Sequence, residues 1–213
     1  MAATKLSLFN GALLECGERA IASLAEDREP RRLLDRAWDA GVVNFCLGQG
    51  QWRFATRTVQ LAASTTIEPT FGYRKAYEIP DDHVRTTSLC SDEYMNTPLL
   101  RYTTEQNYFF TDVEPIFLGY VSNGAGYGGD FSLWPEDFIE YVHAYLASKI
   151  IKKLNQSGTD FETLFKLTKQ RLTDARSSSA MEGPTTFPPV GSFVSARVGG
   201  SRRDRGNRGS FLG

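Results

Sequence analysis

The chain has 213 residues, 41% of them apolar and 23% charged, with a formal net charge of −1; that is enough for one sizeable domain, or for a core with an insertion and a tail. No stretch approaches the roughly 20 consecutive apolar residues needed to cross a bilayer, and the opening MAATKLSLFNGALLECG is poor material for a signal peptide, so a soluble product is expected. Cys16, Cys46 and Cys90 are odd in number, widely spaced and outside any CxxC or Cys/His pattern, which argues against a disulfide framework or a zinc site and favours synthesis in a reducing compartment.

From Ala3 to Cys16, Leu6, Phe9, Leu13 and Cys16 fall on one helical face, with Thr4 as a cap and Gly17 as a stop. The connection IASLAEDREP then presents Pro30 near the start of a second helix, where proline costs little. Leu33, Leu34, Ala37, Trp38, Gly41, Val42 and Phe45 recur at three- and four-residue steps on one broad face, which predicts a single helix ending at the glycines Gly48 and Gly50. Beyond them the pattern turns to strand. Trp52 and Phe54, two apart in an extended segment, are predicted to share a side and to pack together where helix meets sheet, as a core pair rather than a ligand-stacking one.

Short strands are expected at Thr56–Ala62, Tyr73–Ile79, Val84–Leu89, Leu99–Thr103, Tyr108–Thr111 and Pro115–Val121, separated by turn-forming Glu68-Pro69, Pro80-Asp81-Asp82, Asn96-Thr97-Pro98 and Asp112 to Pro115. An antiparallel sheet or small sandwich follows. SNGAGYGGD, Ser122 to Asp130, has neither GK[ST] nor GxGxxG and reads as a flexible loop rather than a phosphate cradle. Pro135 to Leu154 is the clearest helix, with Phe138, Ile139, Val142, Tyr145, Leu146, Ile150 and Leu154 as its stripe. After a turn at Asn155 to Thr159, Asp160 is placed to cap a further helix carrying Phe161, Leu164, Phe165, Leu167 and Leu172. The expected fold is α+β: a four-helix bundle from residues 1–55 and 132–178, a β insertion over 56–131, and an extended basic C-terminal arm over 179–213.

After Ser177 the periodicity is lost in a Ser-, Gly-, Pro- and Arg-rich segment that cannot form a core of its own. From Ala180 onward five arginines, Arg197, Arg202, Arg203, Arg205 and Arg208, face two acids, Glu182 and Asp204, giving this end +3 and the body −4. Phe187, Phe193 and Phe211 are isolated anchors of a kind that a purely solvating tail does not use. The segment reads either as a disordered tail or as an arm that orders on a partner.

Catalytic chemistry finds little support. His83 and His143 lie in different elements, and no motif supplies either with a partner. The acid pairs Asp81-Asp82, Asp92-Glu93 and Glu136-Asp137 sit in turns and at a helix start, where solvation or capping is the ordinary role, although two carboxylates at a defined separation are what glycoside hydrolysis needs. SRRDRGNRG suits phosphate or an acidic protein surface equally well. No cofactor is expected.

Three segments in order, LFNGALLECGERAIASLAED, QWRFATRTVQLA and FGYRKAYEIPDDHVR, followed by LWPEDFIEYVHAYLASKI, resemble the tail tubular protein A family of short-tailed bacteriophages over roughly Leu6 to Leu172. The resemblance implies a non-enzymatic head-to-tail adaptor, made in the host cytoplasm and resident in the virion tail. It implies a dodecameric ring that joins the portal protein to the tail nozzle (tail tubular protein B), seats the tail fibre, and lets double-stranded DNA pass without sequence-specific binding or any membrane contact. Carried onto this chain, Trp38, Phe138 and Phe165 belong to the bundle, and Trp52 and Phe54 fix the β insertion to it. Phe187, Phe193, Arg197, Arg202, Arg203, Arg205, Arg208 and Phe211 belong to an arm that faces the portal. The alternatives are a virion-associated peptidoglycan hydrolase, for which no acid is singled out, and a DNA-binding accessory protein working through the arginine tail.

Overall fold

The computed structural model describes residues 3–67, 69, 72–154 and 158–183, with residues 158–160 described by backbone alone. Met1–Glu182 form one compact unit. The chain is mixed α+β, with five α-helices and two three-stranded antiparallel sheets among the described residues. Helix α1 (Lys5–Glu15) opens on a capping box: Ser7 N–H donates to Thr4 Oγ1 at 3.1 Å, and Thr4 N–H to Ser7 Oγ at 2.8 Å. It ends at Glu15, with Cys16 as the C-cap, two positions before Gly17, whose φ is +71°.

The single helix predicted across Leu33 to Phe45 is two, α2 (Glu29–Asp39) and α3 (Val42–Gly48). Gly41, at φ +86°, makes the break, and its amide closes on Trp38 O at 2.9 Å. The apolar face continues across it, with Leu34 on one side and Val42 and Cys46 on the other all buried, and this is why periodicity alone joins the two segments. Three helices therefore precede the strands, not two, and the bundle has five members. Helices α4 (Glu136–Leu154) and α5 (Gly158–Met181) follow the sheets. The predicted turn runs to Thr159, but α5 already begins at Gly158, which puts Asp160 inside its first turn rather than at its N-cap; residues 155–157 lie outside the described residues. Helix α5 also runs past Ser177, because Ala175 and Ser179 remain buried one turn apart.

Sheet A has the order β1-β6-β3, from Thr56–Leu61, Ile116–Ser122 and His83–Cys90; sheet B has the order β2-β5-β4, from Lys75–Glu78, Tyr108–Thr111 and Thr103–Glu105. Five of the six strands overlap the predicted spans closely. The exception is the strand expected at Leu99–Thr103, which lies at Thr103–Glu105. There Gln106 and Asn107, with φ of +46° and +67°, make a two-residue hairpin turn between the paired Glu105 and Tyr108. A first core joins α1 to α5 through Phe9, Leu13, Leu34, Leu47, Trp52, Phe138, Val142 and Ile151. A second lies in the β region and comprises Tyr77, Ile79, Leu89, Phe109, Ile116, Leu118 and Tyr120. Strand β6 contributes to both, Val121 to the first and Leu118 and Tyr120 to the second.

Candidate interaction surface

The junction between helices and sheets is built on the C-terminal end of α3, whose last carbonyls have no partner within the helix. Trp52 Nε1–H donates to Leu47 O at 2.9 Å and to Cys46 O at 3.2 Å. Arg85 of β3 donates to Gly48 O at 3.0 Å, and Arg176 of α5 donates through Nε to Gln49 O at 2.9 Å. Side chains from three separate parts of the chain thus close one helix end, and the two cations also suit its negative pole. Trp52 and Phe54 do pack together, at 6.2 Å between ring centres, and both meet Phe138, at 4.8 and 5.0 Å. They are not in an extended segment, however: Arg53–Ala55 is a 3-10 turn, and β1 starts only at Thr56. Gly50 is needed for space rather than for backbone angle, since a Cβ there would lie 2.8 Å from the Trp52 ring.

The acid pairs divide on inspection. Asp92 caps its own loop, accepting from the amides of Asn96 at 3.0 Å and Thr97 at 2.7 Å, and Glu136 and Asp137 lie in the first turn of α4. Asp82 is only partly exposed, and its carboxylate is not a cap. Its carboxylate accepts from Arg57 Nη1 at 2.9 Å, Tyr120 Oη at 2.8 Å and Ser122 Oγ at 2.5 Å. Burial pushes this carboxyl up, but the three donors outweigh it and hold the group below the ordinary aspartate range, while Tyr120, buried beside it, is pushed up to about 12. The backbone of Asp82 in turn accepts the amide of Asn123 at 2.9 Å. The glycine-rich segment that follows is closed by backbone bonds from Tyr127 to Gly124, Gly128 to Ser122 and Asp130 to Tyr127, and by Trp134 Nε1–H to Gly128 O at 2.9 Å. The segment is a loop, as expected, and its backbone is arranged in tight turns that bond to one another.

His83 Nε2 lies 2.9 Å from Thr86 Oγ1, and its ring sits 5.4 Å from that of Tyr120. His143 faces α1, and its Nε2 is buried with no hydrogen-bond partner among the described residues. Burial lowers both imidazoles below the ordinary histidine range. All three cysteines are buried, and burial raises their thiols, Cys16 to about 11 and Cys46 to about 12, so none has the character of a nucleophile. Among the described residues no three His, Cys, Asp or Glu side chains are grouped to hold a metal ion.

What the surface does offer is an apolar groove of about 230 Å³ where α3, α4 and α5 meet, lined by Phe45, Tyr141, Tyr145, Phe161, Phe165 and Leu172. Phe45 and Phe165 are 47% and 46% exposed. The sequence places both on apolar stripes and so predicts them in the core. Phe45 instead stacks on Tyr145 at 4.7 Å, and Phe161 on Phe165 at 6.0 Å, forming two aromatic pairs along the groove. Hydrophobic periodicity cannot separate a core position from the edge of an open groove, and the four aromatics on neighbouring helices are the one trace of it in the sequence.

The arm residues Phe187, Phe193, Arg197, Arg202, Arg203, Arg205, Arg208 and Phe211 lie outside the described residues. No helix among the described residues is long and apolar enough to cross a membrane. No protein-family model matches the chain, and no curated protein does.

Proposed function

We propose that this protein is a structural component of a short-tailed bacteriophage particle: an adaptor ring between portal and tail nozzle, offering a seat for tail fibres, with the genome passing through its channel. The observation that carries the reading is the ordered resemblance of Leu8–Asp27, Gln51–Ala62, Phe71–Arg85 and Leu133–Ile150 to the tail tubular protein A family. What supports it is where those segments fall. They supply most of α1, the Trp52–Phe54 junction, β1, β2, the start of β3 and most of α4, and so contribute residues to both cores, while β6, the strand shared by the two, lies outside them. A half-exposed aromatic groove also suits a protein whose work is contact with other chains. The basic arm after Ala180 is the portal-facing element in this reading, a weak contact that gains strength through repetition around a ring.

Electron microscopy of the full-length chain mixed with portal rings tests it. The expected outcome is added density of the portal's symmetry on the tail-facing side, reduced when the chain is truncated after Ala180. Particles that assemble without the polypeptide would overturn the proposal. So would clearing of purified cell walls that is abolished by changing a single acid of this chain.

A further inference from the structure

Two exposed surfaces in different parts of the fold complement one another. The first is the α3–α5 groove. Lys149 and Lys169 border it, and Lys152, Lys153 and Lys166 lie on the adjoining turns; all five are exposed, and no ion pair among the described residues includes any of them. Three of these ammonium groups are drawn over the groove's own rings, Lys149 at 5.0 Å from Tyr145, Lys152 at 3.9 Å from Phe161 and Lys169 at 4.5 Å from Phe165. The surface is apolar at its centre and positive around its edge.

The second is the β3–β4 connection, where Tyr94, Leu100 and Tyr102 are 75%, 91% and 39% exposed within nine residues of chain. Asp92 and Glu93 flank them in the loop, and Glu105 follows in β4; Arg101 is the only base of the stretch. The loop's shape is fixed before any contact. Besides the Asp92 cap, Ser91 N–H donates to Thr97 O at 3.1 Å and Leu99 N–H to Leu89 O at 2.8 Å. A loop held this way loses little conformational freedom when its apolar side chains are covered.

The geometry points to the β3–β4 loop of one copy seating in the α3–α5 groove of a second copy, with Tyr94 and Leu100 covering Phe45 and Phe165 while Glu93 and Glu105 meet the lysine edge. Because groove and loop are different surfaces, the contact is head-to-tail and each copy uses both once, as a closing ring requires. It rests on the ring reading above and specifies which surfaces meet. Two other occupants fit less well. The chain's own end beyond Gly183 carries five arginines against one aspartate, the same sign of charge as the groove's edge. A single-stranded nucleic acid needs open ring faces on which to stack, whereas these rings are engaged by each other and by the lysines.

The test uses full-length protein at low salt, with self-association read by sedimentation velocity and its location by carbodiimide coupling of mixed isotope-labelled and unlabelled copies. Mixed-isotope links should join Lys149 or Lys169 to Glu93 or Glu105. Reversing the groove (Lys149→Glu with Lys169→Glu) or the loop (Glu93→Lys with Glu105→Lys) should each weaken association at least about tenfold with the circular dichroism spectrum unchanged. Mixing the two variants should restore it, since each then meets only opposite charge. Association insensitive to both reversals, links that lie elsewhere, or lysine-dependent binding of a fluorescent oligothymidylate without self-association would overturn the contact. Portal-bound rings that survive both reversals would do so too while leaving the adaptor reading intact. Specific groove-to-loop links from a chain that never joins portals would instead leave the contact standing and remove the adaptor.

Discussion

The helical and β regions of this chain are closed by different physics. The helical core is continuous apolar packing over five helices, and its polar exceptions are few: Thr168 donates to Leu164 O and Ala144 O, while His143 Nε2 has no hydrogen-bond partner among the described residues. The β core is smaller, and the strands around it are fastened by a charged centre, Asp82, which gathers β1 through Arg57 and β6 through Tyr120 and Ser122. Close apolar packing tolerates loss of area badly, whereas a carboxylate held by three donors loses its bonds only when strong acid protonates it; the buried imidazole of His143 makes the helical region the one that responds first as the pH falls. The two regions meet at the end of α3, where Trp52, Arg85 and Arg176 share the closing of one set of carbonyls.

The largest effect is expected at that meeting point. Trp52→Ala removes a fully buried ring that touches Phe54 and Phe138 and uncovers the α3 carbonyls, and should cost about 3–5 kcal/mol in urea unfolding. Trp52→Phe keeps much of the packing and loses the donor, so it should cost distinctly less. Equal losses from the two would mean that the hydrogen bonds, rather than the packing, join the regions. Next is Asp82→Ala, expected at about 2–3 kcal/mol for a carboxylate with three donors. Amide exchange should rise at Asn123 and Gly124 before it rises in α4. Uniform acceleration in both regions would show that the centre does not act locally.

Acid should separate the regions by pH. The unfolded chain protonates its histidines near 6.5, and the folded chain does so only at lower pH because burial depresses His143 and His83. Stability should be level from about pH 6.5 to about pH 8, fall as the pH drops through the window beneath it, and fall again above about pH 8.5, where the unfolded chain ionises thiols that burial keeps protonated in the fold. The Asp82 contribution is retained in the acid window and is lost only below the ordinary aspartate value of about 3.9. Glu136, Glu140 and Arg171 face His143, and the carboxylates soften its penalty without removing it. His143→Leu should therefore flatten the urea midpoint between pH 5 and 7 more than His83→Gln does, since His83 keeps a hydroxyl partner and has Asp82 beside it. The reverse order would place the acid-sensitive site in the β region. The smallest effect is expected at the β4–β5 turn, where Gln106→Asn with Asn107→Gly offers residues that accept positive φ more readily and should stabilise by less than about 1 kcal/mol.

Much of the fold was legible because it depends on local rules. Thr4 caps α1, Pro30 opens α2 and Tyr108–Thr111 is a strand at its predicted bounds, each set by side chains within a few residues. Gly41 escaped because a helical face can continue across a left-handed break without changing its spacing. Strand β4 escaped because Gln106-Asn107 is a weak turn signal, so the strand before it was placed too early. The junction pair was placed together correctly but for an incomplete reason, since what fixes Trp52 is the open end of a helix that no two-residue spacing reveals.

By itself, then, the sequence determined the α+β class, most of the strands, the strongest helix and the meeting of Trp52 with Phe54, because periodicity, caps and turn residues act over short stretches of chain. The tertiary structure alone decided that Asp82 is a fastening rather than a turn acid, that Arg85 and Arg176 close α3, and that Phe45 and Phe165 border a groove. Those assignments depend on residues tens to more than a hundred positions apart arriving within hydrogen-bond or van der Waals reach, and spacing along the chain carries no record of that.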